Sequence, residues 1–211
     1  MNKTRVAGVA APVGWPPDGV AQTGMKRTTI ARLAGFTFLF YIAIGVTELV
    51  LRSGGAGADA TAVKLARLGQ QASAIVLAVT LYMITRDAGP VLATVAMICR
   101  VLEGVGSTIA SLLNVPWSSN AIFFAVGSTL FSWLLLRGRM IPVALAWLGV
   151  VASVLLVVIL PLQLARLIGG STNWFSAITW FVWLPMLVFE VALALWLIIK
   201  GVTAPASRQS A

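Results

Sequence analysis

The feature that most constrains this chain is the length of its apolar runs. A hydrocarbon core about 30 Å thick is crossed by a helix of roughly 20 apolar residues, and six segments of about that length follow one another here. They run from about Leu33 to Leu51, Leu68 to Thr85, from the end of the Arg86–Pro90 turn to Asn114, Asn120 to Leu136, Val143 to Ala165 and Phe175 to Ile199. Turn-forming residues separate them: the glycines between Ser53 and Asp59, the Gly89-Pro90 pair, Pro116, and Gly138 with Pro142. Hydrophobic residues make up 59% of the 211 positions and charged ones only 10%, where a soluble chain carries roughly a quarter charged. The runs also lack the alternation that the polar lumen of a transmembrane β-barrel imposes. The expected fold is therefore all-α, a polytopic bundle of six transmembrane helices occupying residues 25–203. Gly-, Pro- and Ala-rich flexible tails are expected at 1–24 and 204–211.

The amino-terminal stretch does not read as a secretory signal, because its first apolar run begins only beyond Arg32. Met25, followed by Lys26 and Arg27, offers a second start. With the amino terminus inside, the inner loops and ends collect Lys3, Arg5, Lys26, Arg27, Arg32, Arg86, Arg137, Arg139, Lys200 and Arg208; the outer side collects Arg52, Lys64, Arg67 and Arg166. Ten basic residues against four place both termini in the cytoplasm by the positive-inside rule. Trp117 and Trp174 fall at the opposite interface, where amphipathic rings settle. The expected location is a cell membrane, with lipid as the partner.

A net charge of +9 would point to nucleic acid in a soluble protein. Here the basic residues are scattered over the ends of apolar runs, as membrane orientation requires, so no nucleic-acid partner is expected. The chain has no histidine, and Cys99 is its one cysteine. Those absences remove intrachain disulfides, Cys/His zinc frameworks, imidazole-ligated haem and Ser-His nucleophiles. No metal site, cofactor or catalytic residue is expected. An enzyme, with a glutamate as general base, ranks behind a non-enzymatic role.

Ionisable side chains within hydrocarbon cost a few kcal/mol each and ordinarily face a partner or a cavity. On the third span, Ala96, Arg100, Glu103, Ser107, Ser111 and Asn114 recur at spacings of three or four, which gathers them on one helix face. That face belongs inside the bundle, with Arg100 and Glu103 in reach of each other at i, i+3. Counting about 1.5 Å per residue puts Arg100 and Glu190 at a common depth and Glu103 and Glu48 some way outward. Glu48 has Arg52 at i+4. An Arg100 shared by Glu190 and Glu103 leaves one carboxylate over, and either a proton or a bound cation must then neutralise it. The alternative is a structural clamp in which Arg100 spreads its donors over both acids.

Trp180 and Trp183, with Trp174, Phe181 and Pro185, crowd the outer half of the last span. They read as an aromatic wall above Glu190 for a lipophilic cation, or as an interfacial belt with ordinary packing. Gly104, Gly106, Gly149 and Ser153 offer small faces for helix contact, within the bundle or in a homo- or hetero-oligomer.

From Met25 to Val202 the chain resembles an uncharacterised bacterial membrane family labelled domain of unknown function 4386. Three stretches carry the resemblance: Arg27 to Gly35 leading to Glu48, the intramembrane Arg100 to Glu103, and Glu190 to Gly201. The second span departs from the family, which often has an acidic residue where this chain has Gln70, Gln71 and Ser73. The resemblance implies a multi-pass membrane protein and supplies no activity. Two readings of function follow from the residues: a small proton- or cation-linked carrier using Arg100, Glu103 and Glu190, or a non-catalytic subunit whose buried charges only fix helix packing. The carrier reading lacks the internal repeat that many transporters show.

Overall fold

The computed structural model describes residues 18–53, 60–112, 120–165, 167 and 177–203, with side chains omitted at 18–26, 52, 53, 107, 110–112, 177 and 178. Six helices account for nearly all of it: α1 (Asp18–Ser53), α2 (Ala60–Thr85), α3 (Pro90–Leu112), α4 (Asn120–Arg137), α5 (Val143–Leu164) and α6 (Ala177–Ile199). All but α3 contain a segment long and apolar enough to cross a membrane, beginning with Arg27–Leu51 in α1. α3 is the helix that carries Arg100 and Glu103.

The expected spans and the helices agree most closely where proline or glycine punctuates the chain. Pro90 opens α3, a position where its missing N–H is no loss, and Pro142 directly precedes α5. Gly201, at φ +74°, ends α6 in a left-handed conformation that a side chain would resist, its N–H bonded back to the Trp196 carbonyl at 3.1 Å. Two helices start earlier than the apolar runs do. α2 begins at Ala60, ahead of Lys64 and Arg67, and α1 begins at Asp18, so the end of the stretch read as a tail is helical. Neither Lys nor Arg breaks a helix, so a helix continues past the point where its residues leave hydrocarbon; hydropathy marks the span and not the helix. Residues 1–17 and 204–211 lie outside the described residues, as do Trp117 and Trp174.

Each helix packs against its chain neighbours and α6 closes onto α1, giving a ring, with α2 and α4 also meeting across it. Small residues set the closest approaches. A side chain at Gly35 would lie 2.7 Å from the Ala194 carbonyl oxygen, so α1 and α6 meet backbone to backbone at that level. Gly104 does the same for α3 against the Gln71 carbonyl of α2, as the small-residue reading expects.

The outer surface differs from that of a soluble bundle. Phe36, Phe40, Val50, Val91, Val151 and Phe181 are more than half exposed, whereas Arg100, Glu103, Ser132, Ser153, Gln163 and Glu190 are buried. Apolar atoms facing out and polar atoms facing in suit a hydrocarbon solvent. Phe38, Leu77, Leu81, Phe131, Leu156, Met186, Phe189 and Leu193 fill the centre around the polar residues.

One end of the bundle is tied by polar links. Arg27 Nη1 pairs with Asp87 Oδ2 at 3.1 Å while Nη2 donates to the Ile84 carbonyl at 2.7 Å, fastening α1 to the α2–α3 turn. Thr203 reaches from beyond α6 to the α4–α5 turn, its N–H donating to Met140 O at 3.1 Å and its hydroxyl to Arg139 O at 2.9 Å. Because the Arg27 guanidinium is mostly buried and makes two charge-assisted bonds, Arg27→Ala should cost about 2 kcal/mol. Thermal unfolding in detergent micelles checks this, with Arg32→Ala as the comparison; equal melting temperatures for the two variants would show the link to be idle.

Candidate functional site

The α3 face bends inward as its spacing predicts. Ala96, Arg100 and Glu103 are buried, while Val91, Val95 and Ile98 on the opposite face are exposed. Of the rest of the strip, the side chains of Ser107 and Ser111, and Asn114 entirely, lie outside the described residues.

Arg100 and Glu103 meet as an i, i+3 ion pair, Nη1 to Oε2 at 2.7 Å. The other carboxylate oxygen, Oε1, accepts a hydrogen bond from the Tyr41 hydroxyl of α1 at 2.7 Å. The guanidinium carbon also lies 5.6 Å from the centroid of the Tyr41 ring and 4.7 Å from that of Phe124 on α4. Two aromatic faces and one carboxylate therefore hold the cation, a combination worth most where water is excluded. Gly127 makes the space: a Cβ there would approach the Arg100 Cγ to 3.0 Å.

Glu190 is not part of that pair. Among the described residues, no basic nitrogen of Arg100 lies within ion-pair distance of the Glu190 carboxylate, and Glu190 Oε1 is buried without a hydrogen-bond partner. Equal depth brought the two residues to one level but not to contact. The clamp in which Arg100 spans both acids is thus replaced by one in which Tyr41 and Phe124 take the second position. Of the two acids expected around Arg100, Glu103 is the one that it pairs with.

Glu48 makes a contact across helices. Its Oε1 is 3.3 Å from Nε of Arg67, on α2, and Arg67 is half exposed. The side chain of Arg52 lies outside the described residues. A cross-helix partner from α2 was invisible to an argument confined to one helix.

Two cavities connect these groups. One, of about 320 Å³, lies between α1 and α6 and is lined by Tyr41, Gly45, Glu48, Gln70, Phe124, Trp180, Trp183 and Glu190 among others. The second, of about 360 Å³, is bounded by Glu48, Arg67, Gln70, Gln71, Glu103 and Asn120. Tyr41, Glu48, Gln70, Phe124 and Trp183 border both. The aromatic wall expected above Glu190 is thus placed by Trp180 and Trp183 on the first cavity, with the Trp183 and Phe124 rings 5.4 Å apart and tilted. Tyr41, Phe124, Arg67 and Gly127 are the members of the site that the sequence reading missed. A lone tyrosine or phenylalanine in an apolar span carries no mark distinguishing it from packing.

Residues 111–201 match the profile of a family described as Domain of unknown function (DUF4386). That stretch takes in α4 to α6, including Phe124, Trp183 and Glu190, and the Glu190–Gly201 part of the resemblance. The Arg27–Glu48 and Arg100–Glu103 parts lie ahead of the DUF4386 match. No curated protein and no solved structure matches the chain.

Proposed function

We propose that this protein is a small proton- or cation-linked carrier of the bacterial inner membrane, with both termini cytoplasmic. The observation that carries the reading is Glu190: a carboxylate 5% exposed, without a hydrogen-bond partner for Oε1 among the described residues, on the wall of a cavity of about 320 Å³. Leaving a buried carboxylate oxygen without a hydrogen bond costs a few kcal/mol, which packing alone does not offset. A site that alternately holds and releases a positive charge accounts for that cost. Lipid surrounds the bundle, the positive end being the one tied by Arg27 and Thr203; nucleic acid has no place in this reading.

The alternative, a structural subunit whose charges only fix packing, is favoured by a different observation. The Arg100–Glu103 pair is held by Tyr41 and Phe124 and joins three helices. We assign that clamp to structure and Glu190 to the working site, so the two readings concern different residues.

Proteoliposomes loaded with a pH-sensitive dye, or with buffered potassium or sodium and an ion-selective electrode outside, separate them. Flux above that of empty vesicles, lost in Glu190→Gln while the melting temperature stays near that of the parent, is the expected outcome. Undiminished flux in a folded Glu190→Gln protein, or no flux in the parent, overturns the carrier reading.

A further inference from the structure

The cavity beside Glu190 has an unusual boundary. Three of its lining residues, Val46 on α1 and Trp180 and Leu184 on α6, are 54%, 46% and 51% exposed on the outer surface of the bundle. The cavity therefore opens sideways, between α1 and α6, through side chains that face hydrocarbon. The neighbouring cavity opens elsewhere, past the half-exposed Arg67 and Asn120. One mouth is apolar and lateral, the other polar, and the two spaces share Tyr41, Glu48 and Phe124.

Charge narrows the occupant. The lateral cavity is lined by two carboxylates, Glu48 and Glu190, and among the described residues by no Lys or Arg. Arg100, the nearest buried cation, is engaged by Glu103 at 2.7 Å and enclosed by Tyr41 and Phe124. Glu48 has Arg67. Glu190 is left as the charge that a ligand must meet, among aromatic rings whose faces are themselves attractive to cations. A strongly hydrated inorganic ion gains nothing from an apolar entrance; a neutral lipid gains nothing from a buried carboxylate.

Resting on the carrier reading, we infer that the transported or sensed species is an amphipathic organic cation, an alkyl or aryl ammonium. Its apolar body enters from the lipid between Val46 and Leu184, and its charged head is neutralised by Glu190 against Trp183. The combination of a lateral apolar mouth with a buried, unmatched carboxylate is what selects this class. Such molecules concentrate in the bilayer, so a sideways entrance takes them where they already are.

Binding of benzyltrimethylammonium to the full chain in lipid nanodiscs tests the assignment, followed by tryptophan fluorescence and by equilibrium dialysis of the radiolabelled cation. The parent should bind it saturably. Glu190→Gln should weaken binding about tenfold or more, the effect of losing one buried ion pair, and Trp183→Leu about fivefold. Leu184→Trp, at an exposed position where folding is not at stake, narrows the lateral mouth and should slow association. Neopentylbenzene, the uncharged carbon isostere, should compete weakly if at all. Equal affinity for cation and isostere overturns the inference, as does unchanged binding in a folded Glu190→Gln together with unchanged association in Leu184→Trp. Should Glu190→Gln not fold, the isostere and Leu184→Trp decide alone. Saturable, charge-dependent binding without ion flux upholds this site and removes the carrier reading; proton or metal-ion flux with no binding of the ammonium does the reverse.

Discussion

Replacing Arg100 by methionine is expected to destabilise the protein by about 3–5 kcal/mol, the cost of stranding a buried carboxylate. Glu103 is 8% exposed and keeps one hydrogen bond, from Tyr41, when the guanidinium is removed. Methionine retains much of the volume that Gly127 makes room for, so little of the loss comes from a cavity. The double variant Arg100→Met/Glu103→Leu should recover most of the difference, because a buried ion pair replaced by apolar groups of similar size is often neutral or better. Unfolding monitored by circular dichroism in micelles, for both singles and the double, gives the coupling energy directly. If the single and double variants melt together well below the parent, the ion pair is not what the Arg100 side chain contributes. A double variant that also keeps ammonium binding would separate the clamp from the Glu190 site.

The second large effect is expected at Gly149. A Cβ at this position would lie 2.7 Å from Ser132 Oγ on α4 and closer still to the ring of Phe189 on α6, and Phe189 is itself 3% exposed. Three helices converge there, and the space beside Ser132 and Phe189 is a cavity of only about 10 Å³. Gly149→Ala should cost about 1–3 kcal/mol through overpacking, and Gly149→Val more. Phe189→Leu made together with Gly149→Ala should restore part of the stability, since it removes the atoms that collide. Stability lost equally with and without Phe189→Leu would place the conflict in the backbone instead. Phe189 precedes Glu190, so these variants also report how firmly α6 holds its carboxylate.

Which parts of this architecture are readable from the chain follows from what one-dimensional information contains. Helix positions were legible because hydropathy and breakers act locally, as at Pro90, Pro142 and Gly201. The inward turn of Arg100 and Glu103 was legible for the same reason: a polar stripe on a helix in hydrocarbon has one place to go. Depth along a helix axis is also arithmetic, and it put Arg100 and Glu190 at one level. Rotation about the axis and the order of helices around the ring are not. They decide that Tyr41 and Phe124, and not Glu190, flank Arg100, and that Glu48 finds Arg67 on the neighbouring helix. Both sets of contacts join residues from different helices, where no periodicity constrains them. The starts of α1 and α2 were misplaced because charge ends a membrane span without ending a helix.

The backbone contact at Gly35 and the cavity at Val46 lie on the same pair of helices, eleven positions apart on α1. That interval is about 17 Å of helix. α1 and α6 touch at one level and part at another, so together they make a wedge with its apex near Ala194. In such a shape the gap is set by the angle between the two axes, and a tilt of a few degrees at the apex translates into an ångström or more at the open side. Substitutions near Gly35, remote from every charged group of the site, therefore govern the width of the entrance by geometry alone.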